Sequence, residues 1–187
     1  MTPIVRRIRD QWIALRCRAG ESGAFGDLIA EMERPLLYYL TKLLRNENDA
    51  LDVLQGVWIR AMRGIRRLED PGSLRSWLYQ SAHGLAIDHI RRDSAQRRAE
   101  INRAQHSPEV SDDEDPHFDH ADAAALHAAI DELDLDHREA IVLHFLDDLS
   151  IAEISRVIGC PEGTVKSRIH YAKRSLRDAL VRGGHAN

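Results

Sequence analysis

A chain of 187 residues with 43% hydrophobic content can bury one core or two small ones; only 5% aromatics and scarce strand-type alternation point to an all-α fold. The net charge of −4 speaks against a uniformly basic surface, yet the charge is segregated: residues 1–106 carry 18 Lys/Arg against 13 Asp/Glu, residues 107–149 carry 1 against 14, and residues 150–187 carry 7 against 3. No apolar run approaches the ~18 residues of a membrane span, the amphipathic start lacks a secretory core, and two distant cysteines, Cys17 and Cys160, fit a reduced cytoplasmic setting.

In chain order, Trp12, Ile13, Leu15 and Ala19 predict a short first helix from Asp10 to Gly20. The stretch "ESGAFGDLIAEMERPLLYYLTKLL" predicts a second, with Ser22 as its N-cap and a kink at Pro35. A third, in "NENDALDVLQGVWIRAMRGIRRL", has an apolar face of Ala50, Val53, Leu54, Val57, Trp58, Ala61, Met62, Ile65 and Leu68. Asp49, Asp52 and Gln55 recur every three residues on its other side, an acidic stripe that suits a basic partner or plain solvent.

After the break "EDPGS", "LRSWLYQSAHGLAIDHIRR" predicts a fourth helix with Leu74, Trp77, Leu78, Ala82, Leu85 and Ile90 inward. Its outer face would expose Arg75, Tyr79, Gln80, His83, Asp88, Arg91 and Arg92. These four helices make one domain over residues 10–98. Residues 99–120, with "SPEVSDDEDPHFDH", hold two prolines and a run of acids and read as a flexible acidic linker. Its charge, beside a basic domain, predicts that it shields that domain from DNA.

Residues 121–182 predict a second domain of four more helices. Ser150 and Glu153 form a capping box, Gly159 is a C′ glycine, and Pro161 opens the last helix where its missing N–H does no harm. A helix, a glycine turn and a longer basic helix make a helix-turn-helix. In "IGCPEGTVKSRIHYAKRSL", Val165, Ile169, Ala172 and Leu176 form the buried stripe and leave Lys166, Ser167, His170, Lys173, Arg174 and Arg177 outside. That face suits a nucleic-acid groove. Cys160 in the turn is expected as a small buried filler. His117, His120 and His127, and His83 with His89, lack a metal-binding frame, so neither a metal nor a cofactor is expected.

The chain resembles the extracytoplasmic-function (ECF) group of bacterial sigma factors over residues 10–181. Four segments carry the resemblance in order: "AGESGAFGDLIAEMERPLLYYL", "NDALDVLQGVWIRAMRGI", "LRSWLYQSAHGLAIDHIRR" and "LDLDHREAIVLHFLDDLSIAEISRVIGCPEGTVKSRIHYAKRSL". The resemblance implies a promoter-specificity subunit without catalysis of its own, built from a region 2-like domain and a region 4-like domain. It implies that Asp49, Asp52 and Gln55 meet RNA polymerase core at the β′ clamp helices, with further contacts to the β subunit. It implies that Arg75, Tyr79, Gln80, His83, Asp88, Arg91 and Arg92 serve the −10 element, with a flipped base held near residues 68–75. Thr164, Lys166, Ser167, Arg168, His170, Tyr171 and Arg174 would read the −35 element, and an anti-sigma factor is a further possible partner. Two positions depart from the family pattern: Leu51 replaces an acid, and Gly56 stands where Glu is frequent, weakening the core-binding helix.

Two other functions compete. A free-standing helix-turn-helix regulator acting without polymerase would not need the acidic stripe or the "WLYQSAHGLAIDHIRR" segment. A metal-dependent hydrolase using the His/Asp-rich middle lacks a preorganised pocket in the sequence.

Overall fold

The computed structural model describes residues 3–101, 121–146 and 148–182, and the fold is all-α. The N-terminal half holds α1 (Pro3–Ala19), α2 (Ala24–Leu44), α3 (Glu47–Gly64) and α4 (Leu74–Ile101), with two 3-10 turns, Ile65–Arg67 and Pro71–Ser73, between α3 and α4. The C-terminal half holds α5 (Ala121–Glu132), α6 (Leu135–Ile141), α7 (Ile151–Ile158) and α8 (Glu162–Arg182). One π-helical turn, Val142–Leu146, follows α6. Most of the expected linker, its charge run and the histidines 117 and 120 lie outside the described residues. α4 continues to Ile101, past the sequence-derived end at 98.

Local chemistry sets most boundaries. The Asn46 side chain accepts the Asp49 N–H at 3.0 Å and starts α3. Asp134 does the same for α6 through the His137 N–H, at 2.9 Å. At α2 the expected Ser22 cap gives way to Gly23, whose φ of 84° suits a residue without Cβ and which offers no side-chain cap. α2 runs on through Pro35 as one helix.

The core orients α1 and corrects two sequence readings, in α3 and α4. In α1 the inward side chains are Ile13, Ala14 and Cys17, while Trp12 and Leu15 face solvent. Small Ala14 and Cys17 make a flatter packing surface than the large residues do, and Asp10 is drawn inward to Arg75. In α3, Met62 is 64% exposed because Ala61 and Ile65 hold the inward positions of that turn. In α4, Tyr79 is fully buried, edge-on to Tyr39 with ring centroids 5.2 Å apart. Trp77 and Leu85 pack half-buried against the core, as expected of an inward stripe.

One of the two departures from the family pattern in α3 gains a physical account. A Cβ on Gly56 would lie 3.2 Å from Leu85 Cδ1, so this position faces α4 and glycine lets the two helices approach. It does not sit on the outward stripe. Leu51, by contrast, is 41% exposed and lies on the outward face.

The two halves pack together, α2 against α6 and α4 against α7. The Tyr39 hydroxyl and His83 Nδ1 converge on buried Glu139, the latter at 2.7 Å. Lys42 Nζ meets Asp131 at 2.6 Å, Arg6 meets Asp148 at 2.6 Å, and the Arg45 guanidinium donates to the Asp131 carbonyl near the α5 C-terminus. Tyr38 Oη lies 2.7 Å from His127 Nδ1. Acids of the negative middle segment are therefore partnered by bases and hydroxyls of the N-terminal half. Arg138, buried among them, has its pKa lowered, first by burial and next by the Arg45 charge.

Candidate nucleic-acid interface

The helix-turn-helix is held from within. Ser150 and Glu153 complete their capping box, with the Ser150 N–H 2.9 Å from the Glu153 carboxylate. Gly159 turns the chain at φ 67°, and the Ser155 hydroxyl donates to the Cys160 carbonyl at 2.6 Å, tying the turn to α7. The Pro161 carbonyl accepts the Val165 N–H at 3.1 Å and so begins α8. Cys160 is half-buried against the core rather than fully enclosed. Val165, Ile169, Ala172 and Leu176 are buried as the periodicity predicts.

That burial fixes what α8 shows to solvent. Thr164, Lys166, Ser167, His170, Tyr171 and Arg174 are exposed. Ser167 donates to the Gly163 carbonyl at 3.0 Å, which leaves its oxygen lone pairs outward. Arg168 is different: it is half-buried and paired with Asp136 at 2.6 Å, on the edge of the face. Tyr171 stands between His170 and His137, its ring centroid 5.7 and 6.0 Å from theirs. Lys173, which extends the basic face, rests over the Phe145 ring at 4.6 Å.

On α4 the expected set divides. Gln80, Asp88, Arg91 and Arg92 are exposed. Arg75 instead forms a largely buried fork on Asp10, at 2.9 and 3.3 Å. Tyr79 belongs to the core. Burial removes it from the expected −10 surface: its amphipathic ring packs inward against Tyr39. His83 is half-buried on Glu139, and Gln80 reaches the Arg156 carbonyl of α7 at 3.4 Å. Beside this face lies a cleft of roughly 500 Å³ walled by Leu68, Glu69, Asp70, Ser73 and Trp77, with Arg156 of α7 on its far side. A Cβ on Gly64 would come within 2.9 Å of the Trp77 ring, so glycine there is what lets the indole form the wall.

On α3, Asp52 and Gln55 are exposed, while Asp49 is half-buried and 3.4 Å from His89 Nε2. Exposed Leu51, Ile59 and Met62 lie along the same face, an apolar component that the acidic spacing does not reveal. The signal was available: Leu51, Gln55, Ile59 and Met62 recur at spacings of four, four and three. Among the described residues there is no cluster of three metal-ligating side chains, and no helix is long and apolar enough to cross a membrane.

Comparison with known proteins covers both halves. Residues 28–96 match the family model for Sigma-70 region 2, and residues 123–176 match that for Sigma-70, region 4. The chain is 30% identical over 145 residues to "RNA polymerase sigma factor SigV" of Bacillus subtilis, covering 74% of this chain and 80% of that one. It is 30% identical over 169 residues to "ECF RNA polymerase sigma factor SigC" of Mycobacterium tuberculosis, covering 90% of this chain and 88% of that one. In three dimensions it resembles the sigma factor RpoE of Bartonella quintana, solved in complex with the anti-sigma factor NepR. The TM-score is 0.68 at 22% identity, over 84% of this chain and 97% of that one. At that identity the likeness speaks for the fold alone.

Proposed function

We propose a division of labour that proceeds from one fact: the chain belongs to the sigma-70 family of RNA polymerase sigma factors, in its extracytoplasmic-function group. It is a specificity subunit that joins core polymerase and directs initiation at promoter DNA. The exposed basic face of α8, on a helix locked in place by the capping box and the Gly159 turn, carries the reading most directly.

In this reading residues 121–182 read the −35 element. Lys166 and His170 address base edges, Ser167 and Thr164 add hydroxyl contacts, and Tyr171 and Arg174 reach the flanking backbone. Arg168, through its pairing with Asp136, braces α8 at the edge of the groove. Residues 10–98 serve the −10 element. Arg91 and Arg92 hold phosphate, Gln80 and Asp88 offer hydrogen bonds, and the cleft beside Trp77 takes an unstacked base. Asp52 and Gln55, with Asp49 at their edge and exposed Leu51 and Met62 beside them, form the docking face for the β′ clamp helices. The β subunit takes the remaining contacts, and residues 99–120 span the two units. The protein is cytoplasmic and works without catalysis of its own. An anti-sigma factor, of the kind that the solved neighbour RpoE of Bartonella quintana binds, is a further proposed partner.

The packed arrangement corresponds to the chain without polymerase. Gln80 and His83 of the proposed −10 surface are engaged by Arg156 and Glu139 of the other half, and Arg156 lines the cleft. Engagement of both promoter elements therefore requires α7 to leave α4.

Run-off transcription with purified core polymerase on a promoter panel tests the assignment. Transcripts that appear only with this chain, at a subset of promoters, are the expected result. Sequence-specific DNA binding without core, and no promoter-dependent transcript with it, would establish the free-standing regulator instead.

A further inference from the structure

α1 is apolar on two opposite sides. One side packs inward through Ile13, Ala14 and Cys17. The other carries Val5, Ile8, Trp12 and Leu15 at spacings of three, four and three, each more than half exposed. Three turns of large apolar side chains on one stripe form a patch, and contiguous exposed patches mark interaction sites. All of α1 lies outside the matched family regions, which begin at residue 28.

The two edges of this stripe differ in charge. Along the α2 edge, Arg9 pairs with Glu31 at 3.0 Å, and Arg16 pairs with Glu21 and Asp27 while stacking over the Trp12 ring at 4.2 Å. That edge is neutralised. Along the opposite edge Arg7 and Arg18 are exposed, and Arg18 donates to the backbone carbonyl of Glu69 at 3.4 Å. The surface is therefore an apolar ridge with one cationic border.

We propose that this face of α1 docks an amphipathic helix of a partner protein, one with an apolar ridge of three turns and a row of carboxylates along the edge that meets Arg7 and Arg18. Aliphatic Val5, Ile8 and Leu15 fit the ridge of such a helix, with Trp12 as the central anchor. Nucleic acid is disfavoured, because aliphatic side chains offer no stacking platform. An anionic bilayer is disfavoured as well, since only one border of the ridge is cationic and the hydrated ion pairs of the α2 edge would have to enter the interface. The inference does not depend on how α8 or α4 reads DNA.

The test uses the full chain and a fluorescent helical peptide of about three turns, with leucines on one ridge and glutamates along one border. A second peptide replaces the glutamates with lysines. Fluorescence anisotropy should show saturable binding of the acidic peptide. That binding should weaken at least about tenfold with Trp12→Glu, with Arg7→Glu plus Arg18→Glu, and with the lysine peptide. Both variants should keep the parental melting temperature and promoter-directed transcription with core polymerase. Equal binding of the two peptides, indifference to Trp12→Glu, or no binding at all would overturn the proposal. Two further results would overturn it: Trp12-dependent binding to phosphatidylglycerol vesicles alone, and a Trp12-dependent dimer in sedimentation.

Discussion

His83 on α4 and Glu139 on α6 lie 2.7 Å apart, and the same carboxylate oxygen of Glu139 accepts the hydroxyl of Tyr39. One buried acid from the C-terminal half is thus held by two elements of the N-terminal half. Hydrogen bonds to a charged group contribute about 1.5–3 kcal/mol each, and an unpaired one is costly to keep buried. Glu139→Gln should loosen the contact between the halves, lowering the urea midpoint and raising the radius of gyration in X-ray scattering. Unchanged values for both would mean that the halves are held by other contacts.

Lys166→Ala and His170→Ala should each cost about 1–3 kcal/mol of discrimination at the upstream promoter element if the contacts are bidentate. Both side chains are exposed and distant from the buried stripe of α8, so thermal stability should stay within about 0.5 kcal/mol of the parent. Footprinting of the holoenzyme decides: full protection of the upstream element by both variants would remove these residues from the reading face.

Asp52→Arg should impair assembly with core polymerase and leave the melting temperature unchanged, because Asp52 is exposed on α3. Leu51→Glu, on the same face, restores the family's acid and should strengthen assembly. Co-purification with core reads both. If Asp52→Arg binds like the parent, α3 is not the docking face.

Cys17 and Cys160 should differ sharply in reactivity. Burial raises the Cys17 thiol pKa, while Cys160 sits half-exposed in the turn. A raised folded pKa keeps the thiol neutral, so its contribution to stability is complete below the unfolded value, about 8.5, and is lost as pH rises through the folded value. A thiol reagent at mildly alkaline pH should modify Cys160 first and reach Cys17 only on unfolding. Equal rates would contradict the burial of Cys17.

The helix-turn-helix was legible because local signals coincide there: Ser150, Glu153, Gly159 and the stripe from Val165 to Leu176 all act within one or two turns. The surface of α4 was less so. Tyr79 can present either its ring or its hydroxyl, and only its position opposite Tyr39 decides that the ring is inside. Arg75 likewise looked like a phosphate ligand, until packing placed Asp10 beside it. Such pairings join residues forty or more positions apart, which periodicity does not reach. Gly56 was read as a helix weakness, but its meaning lies on the neighbouring helix, in Leu85.

Trp77 has an optical consequence. Its indole walls the cleft that Arg156 also lines, whereas Trp58 packs edge-on against Phe25 and Trp12 is on the surface beneath Arg16. With Trp12 and Trp58 replaced by phenylalanine, the remaining emission comes from the junction of the two halves. Departure of α7 wets one edge of that ring and removes a nearby guanidinium, shifting the spectrum to the red. The molecule thereby carries an intrinsic dye at its hinge, readable in a stopped-flow mixing of the chain with polymerase.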